Sequence, residues 1–219
     1  MNNMKRALII IGTGAVAAEI TSLIEEPQHG FAYGVDIKGY LCLNDVHVKK
    51  YEYKKPYLGK VDDYSPKEDD YFIIAIGDNV YRKENANKII AKSGKIITLI
   101  HSSCIIADTA KIGIGNIINP FSMVGPKAEI GNFNVITSQS FISHDCKIGN
   151  FNFFSTTGLC GHVEIGNENT FNIKSTVIPH IKIGNRNQIQ AGMIVDKNID
   201  DDTTVFHRFK EKVIAIPKG

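Results

Sequence analysis

The sequence predicts a two-part α/β and β-helical protein: a small parallel sheet with helices over residues 1–101, then a left-handed parallel β-helix over residues 102–219 that ends in a C-terminal tail. Three observations carry this. Apolar residues recur every six positions, at Ile106, Ile112, Ile118, Val124, Ile130, Ile136, Ile142 and Ile148, and after one slip at Ile165, Phe171, Val177, Ile183, Ile189 and Val195. Ile-Gly pairs return at 112–113, 130–131, 148–149, 165–166 and 183–184, at intervals of 18, 18, 17 and 18. Before residue 101 the grammar differs: buried-strand runs alternate with stretches of helical spacing.

A six-residue period has a simple physical reading. Three short strands of one hexad each close a triangular coil, one aliphatic side chain per hexad points inward, and stacked coils share a continuous apolar column. An amphipathic helix repeats at 3.6 residues and does not tolerate the Gly and Asn that fill these hexads. The one 17-residue interval implies a shortened corner near Phe153 to Cys160.

In the first part, Arg6–Ile11 is a continuous apolar run that suits a strand buried on both faces. Ala15 to Glu26 carries Val16, Ile20, Leu23 and Ile24 at helical spacing and is closed by Pro27 and Gly30. Gly39 to Leu43 reads as the second strand, residues 44–70 as loop, Tyr71 to Ile76 as the third strand, Asn79 to Lys92 as helix and Lys95 to Ile100 as a further strand. Gly12-Thr13-Gly14 follows a strand and opens a helix, a geometry that lets backbone N–H groups approach an anion. Position 17 is Ala, so this is not a full GxGxxG, and the part is too short for a two-lobed dinucleotide fold.

Composition excludes several classes. A net charge of +2 makes no case for nucleic acid or an anionic membrane as partner. No apolar run reaches the length of a membrane span, and the N-terminal run reads as a strand rather than a signal peptide. Cys42, Cys104, Cys146 and Cys160 show no metal spacing, and are expected as reduced thiols in a cytoplasmic protein.

Gly12-Thr13-Gly14, Ala75-Ile76-Gly77-Asp78-Asn79, Leu99-Ile100-His101 and Ser143-His144-Asp145-Cys146, together with the hexad repeat, resemble the hexapeptide-repeat acyltransferases with an N-terminal nucleotide-sugar-binding domain. That family includes bacillosamine-pathway N-acetyltransferases and the sialic acid O-acetyltransferase type. The resemblance implies a Rossmann-like fold for the first part and acetyl transfer from acetyl-CoA to a nucleotide-linked amino sugar in surface-glycan synthesis. The family's catalytic histidine matches His144, and its following acidic residue matches Asp145. An imidazole suits a general base near neutral pH, and a carboxylate beside it fixes the tautomer.

The family's oxyanion donor, a backbone N–H one coil beyond the histidine, matches Gly161; because the alignment crosses the slip, His162 stays open. The acetyl-CoA arm is then expected past Ile173 and Ala191. Nucleotide-sugar contacts map onto Gly12, Thr13, Gly14, Ala15, Val16, Asn44, Asp45, Gly77 and Asn79, with Thr137 at a family asparagine position. Asn44 and Asp45 serve equally well as turn residues. The resemblance also implies a homotrimer with active sites between subunits.

The sequence departs from the family at Val16 and Phe153, where histidines are common, at Thr137, and at Val205-Phe206-His207-Arg208-Phe209, which replaces the usual ending. These departures bear on the acceptor sugar. O-acetylation of a sugar uses the same residues, and a nucleotide-sugar sensor is the non-enzymatic alternative. His144, His162 and His180 are each 18 apart, which invites a metal reading, but His144 stands four residues before its Ile-Gly and the other two stand three before theirs. No metal is therefore expected.

Overall fold

The computed structural model describes residues 6–25, 31 and 34–206. The expected C-terminal tail from His207 onward and the predicted helix stop at Pro27 and Gly30 lie outside the described residues.

The first part contains β1 (Arg6–Ile11), α1 (Ala15–Glu25), β2 (Val35–Leu41), α2 (Val46–Lys50), β3 (Asp70–Ile74), α3 (Asn79–Ala91) and β4 (Lys95–Ile96). The four strands form one parallel sheet in the order β2-β1-β3-β4. The central strand β1 is the continuous apolar run, and Leu8, Ile9, Ile10 and Ile11 are buried. Strand β2 starts four residues earlier than its apolar pattern suggests. Val35 and Ile37 are buried with Asp36 exposed between them, an alternation open to detection in the sequence, and the register against β1 shifts only after Ile37, between Leu8 and Ile9.

The predicted strand Lys95 to Ile100 divides. Lys95–Ile96 closes the small sheet, whereas Leu99–Ile100 pairs with Ile117–Ile118 as the first rung of the second part. A short run of apolar residues carries no mark of which sheet each half joins.

From Leu99 onward, two-residue strands stack in parallel into three sheets that wrap a triangular prism. The inward residues are the hexad series, joined by Phe154 and Leu159 across the slip, and they make one core cluster. The slip itself is the corner Ser155-Thr156-Thr157. Five residues separate the inward Phe154 and Leu159, where six separate Ile136 and Ile142 in the coil below. Side-chain hydroxyls stitch this short corner: Thr156 N–H donates to Thr137 Oγ1 at 2.9 Å, and Thr157 N–H to Ser140 Oγ at 3.1 Å.

The residue before each inward one points out, and its chemistry differs by face. On the docking face, Leu99, Ile117, Val135 and Phe153 pack against Leu8, Ile10, Ala17 and Ile20 of the first part. On the apolar face, Ile105, Met123, Phe141 and Ile194 are exposed. On the charged face, Lys111, Glu129, Lys147, Glu164 and Lys182 alternate in sign, with Lys111–Glu129 at 2.9 Å and Lys182–Glu164 at 3.2 Å.

Buried asparagines line the corner between the charged and docking faces. Asn116, Asn134, Asn152 and Asn169 pass amide hydrogen bonds from coil to coil at 3.0–3.1 Å, each Nδ2 donating to the Oδ1 below. Their backbone N–H groups donate to the same oxygens at 2.8 Å, so the ladder satisfies corner groups that the short strands leave open.

Helix α3 docks on this corner through Asn79, Arg82 and Lys83, one stripe of its surface. Arg82 is fully buried and forms no ion pair with a carboxylate among the described residues. Its guanidinium donates to the carbonyls of Ile76, Gly77, Phe133, Phe151 and Asn152 and to Asn79 Oδ1, at 2.7–3.1 Å. Burial pushes its pKa down to about 10, which leaves it charged at neutral pH. Lys83 adds an ion pair to Glu168 at 2.7 Å. No described helix is long and apolar enough to cross a membrane.

Candidate active site

The corner between the apolar and charged faces is a two-residue turn repeated in four coils: Pro126-Lys127, His144-Asp145, Gly161-His162 and Pro179-His180. The second residue of each has φ of 56°, 57°, 59° and 66° respectively, and the first is the turn position that suits proline. Three of the turns are tied to the coil below by a backbone bond, as from Asp145 N–H to Pro126 O at 3.0 Å and from His162 N–H to His144 O at 3.1 Å.

The register fixes which residue of the next coil stands above His144. Ser143 N–H bonds Leu159 O and Cys160 N–H bonds Val177 O, so Gly161 stands above His144 and His162 above Asp145. Prolines fill the Gly161 position in two other coils and have no N–H, so the ladder does not use this donor. At Gly161 the N–H is surplus to the fold. A Cβ on Gly161 would lie 2.7 Å from both Nε2 and Cε1 of His144, so only glycine lets the ring lie against this peptide.

His144 Nδ1 and Asp145 Oδ2 are 2.8 Å apart, and both side chains reach solvent. The His144 hydrogen bond holds the Asp145 carboxyl below the usual carboxylate range. The carboxylate is therefore ionised at neutral pH and can only accept. Nδ1 must carry the proton, and the neutral ring keeps its lone pair on Nε2, beside Gly161.

A second feature lies at the C-terminal ends of β1, β2 and β3. A cleft of about 520 Å3 brings together Gly12, Thr13, Gly14, Ala15, Val16, Asn44 and Gly77. Gly12 has φ +104° and a Cβ there would meet Ala75 O at 2.7 Å, so the turn that opens α1 requires glycine. Tyr53 O–H lies 3.2 Å from Thr13 O and 3.4 Å from Gly14 O and holds the turn by its carbonyls. Burial raises the Tyr53 pKa, which keeps the phenol a donor.

Several expected contacts lie elsewhere. Asp45 pairs with Lys49 at 2.8 Å outside the cleft lining. The Asn79 amide is spent on docking: it donates to Asn169 O and Thr170 Oγ1, both at 3.1 Å, and accepts from Arg82. Thr137 belongs to the short corner described above. Ile173 and Ala191 are exposed and stack, with Gly192 N–H on Ile173 O at 2.9 Å, along the edge of the apolar face remote from His144. Val16 and Phe153 both approach Gly77, at 3.5 and 3.7 Å from where its Cβ would be, so apolar groups meet where the first part joins the prism.

Sequence reasoning missed Arg82, Tyr53 and the asparagine ladder. The ladder was open to detection, because Asn116, Asn134, Asn152, Asn169 and Asn187 repeat at the Ile-Gly intervals. Arg82 and Tyr53 bond mainly to main-chain carbonyls, which leave no mark in a sequence.

Among solved structures, this chain is similar to PerB from Caulobacter crescentus in complex with CoA and GDP-perosamine: 20% identity, a TM-score of 0.81, and coverage of 90% of this chain and 92% of that one. The fold is a left-handed parallel β-helix with an N-terminal α/β sheet. The acetyltransferase domain of PglB from Neisseria gonorrhoeae FA1090 matches at 21% identity and a TM-score of 0.79, over 91% of this chain and 96% of that one. WeeI from Acinetobacter baumannii AYE matches at 18% identity and a TM-score of 0.63, over 92% and 96%. No protein-family model and no curated protein matches the sequence.

Proposed function

We propose that this protein transfers an acetyl group from acetyl-CoA to the amine of a nucleotide-linked amino sugar. The observation that carries the reading is the His144 ring edge with Nε2 lying close beside the Gly161 peptide, whose N–H is surplus to the fold, with Nδ1 held by Asp145 at 2.8 Å. A base and an oxyanion donor side by side are what acyl transfer needs. PerB is in complex with CoA and GDP-perosamine, the pair of ligand classes assigned here.

Acetyl-CoA supplies the thioester. His144 Nε2 takes the proton from the sugar amine as nitrogen attacks the acetyl carbon, and Asp145 stabilises the resulting imidazolium. The Gly161 N–H faces the charge that develops on the carbonyl oxygen. His144 then returns its proton to the departing sulfur. The exposed apolar face, edged by Ile173 and Ala191, fits an extended pantetheine arm.

Residues 1–101 are assigned to nucleotide-sugar binding and residues 102–219 to acetyl transfer. Within one chain these two duties are separated. The cleft sits on the part that covers the docking face, and His144 occupies the opposite corner of the triangle. A sugar held in the cleft therefore meets the His144 of a neighbouring copy. That arrangement supports a homotrimer, with the apolar faces turned to one another. A cytoplasmic location in surface-glycan synthesis agrees with four unpaired cysteine thiols and with acetyl-CoA as donor.

Purified protein mixed with acetyl-CoA and a panel of UDP-, GDP- and dTDP-linked amino sugars should release thiol with at least one of them. Sugar binding by thermal shift with no turnover on any would replace the enzyme by a sensor.

A further inference from the structure

We infer that the His144 corner is also a binding site for a single borderline transition-metal ion such as Zn2+, held by His144, Asp145 and His162. One ligand atom from each lies within 4.8 Å of the other two. Metal–ligand bonds of about 2.0–2.2 Å require ligand atoms within roughly 4.4 Å of one another, so a small rotation of these side chains closes the set. Imidazole and carboxylate are the ligands such an ion takes.

The shortened coil creates this cluster. With a uniform 18-residue repeat, His162 would lie directly over His144, as His180 lies over His162 with rings parallel at 4.8 Å. Loss of one residue at the corner Ser155-Thr156-Thr157 moves His162 over Asp145. Its ring then stands at 87° to that of His144, with centroids 5.2 Å apart, and the carboxylate is brought into the same group. The spacing that argues against three equivalent histidine ligands thus assembles a mixed set instead.

Backbone geometry presets the ligands, because Asp145 and His162 are both held at positive φ by bonds to the coil below. The cluster opens onto a cleft of about 520 Å3 in which Glu129, Asp145 and Glu164 face Lys111, Lys127 and Lys147, so an ion reaches it from solvent and is held by the three ligands rather than by the charge of the cleft. An ion there engages the base of the proposed reaction and shuts it off. That regulatory consequence rests on the acetyl-transfer reading; the binding does not.

The test uses the tag-free full chain stripped of metal. Titration with Zn2+ against a chromophoric chelator should show one ion per chain, and Co2+ in its place should give the visible absorption of an ordered site. His162→Ala and Asp145→Asn should each weaken binding by at least about tenfold, and His180→Ala should leave it unchanged. If His162→Ala does not fold, His162→Gln is held to the same criterion. No retained ion, or wild-type affinity in the folded His162 variant, overturns the site. Zn2+ should also suppress formation of acetylated sugar, followed by chromatography, and a chelator should restore it. Full turnover with the ion bound overturns the regulatory role. A wild type that is inactive when stripped of metal, yet binds the ion, contradicts the acetyl-transfer reading and leaves the metal site standing.

Discussion

The apolar and charged faces of the prism share one inward column and one backbone, and differ only in the residue that points out. Five outward residues of the charged face alternate Lys and Glu, a surface that stays in water and resists edge-on association. The apolar face shows Ile105, Met123, Phe141 and Ile194 to solvent in an isolated chain. Full burial of such a side chain is worth about 1.5–3 kcal/mol, and since Met123 and Phe141 are already more than half covered, covering this face recovers only part of that for each. The inward residue of each hexad specifies the coil, and the outward residue specifies what the coil meets. His144 stands on the corner where these two faces join.

The largest expected effect comes from making the apolar face resemble the charged one. If the proposed trimer forms through this face, Phe141→Lys should leave each chain folded, give monomers by light scattering, and abolish most acetyl transfer, because the proposed site then loses its neighbour. A trimeric, active Phe141→Lys protein would show that this face does not assemble. His144→Ala should lower turnover by about 10²–10⁴-fold without changing the state of assembly. Near-normal turnover in this folded variant would remove the base from the mechanism.

A smaller change sharpens the corner itself. Gly161→Ala keeps the backbone conformation but pushes the His144 ring aside. A displacement of about 1 Å at a reacting group costs on the order of 100-fold, read as a fall in kcat with an unchanged melting temperature. Unchanged kcat would separate the ring from the Gly161 peptide. The smallest effect belongs to the charged face: Lys147→Glu should alter stability by less than about 1 kcal/mol and leave both assembly and turnover intact.

Much of this was legible in the sequence, for a reason that also sets the limit. The inward column, the Ile-Gly corners and the slip are periodic, and each appears as a side-chain choice repeated many times. His144 and Asp145 were legible through their resemblance to a known family motif. The sequence interval narrowed the shortened corner to Phe153–Cys160 and matched Gly161 to the position beyond His144, but left His162 open because that match crosses the slip. Only the backbone pairings put it at Ser155-Thr156-Thr157. The roles of Asn79 and Arg82 were hidden more deeply, since most of the oxygens they bond are main-chain carbonyls.

That dependence on carbonyls bears on how such proteins diversify. Apart from Asn79, every acceptor around Arg82 is supplied by main chain at the β3–α3 loop and at two successive corners of the prism. Those acceptors are kept whatever side chains occupy Phe133, Phe151 and Asn152. One arginine can thus clasp any stack of coils with this corner geometry, and an N-terminal head carrying it is portable. Exchange of heads between related prisms, by recombination or by design, needs to preserve the arginine, the loop it holds and the apolar patch beneath, and to match the side-chain contacts of Asn79 with Thr170 and of Lys83 with Glu168.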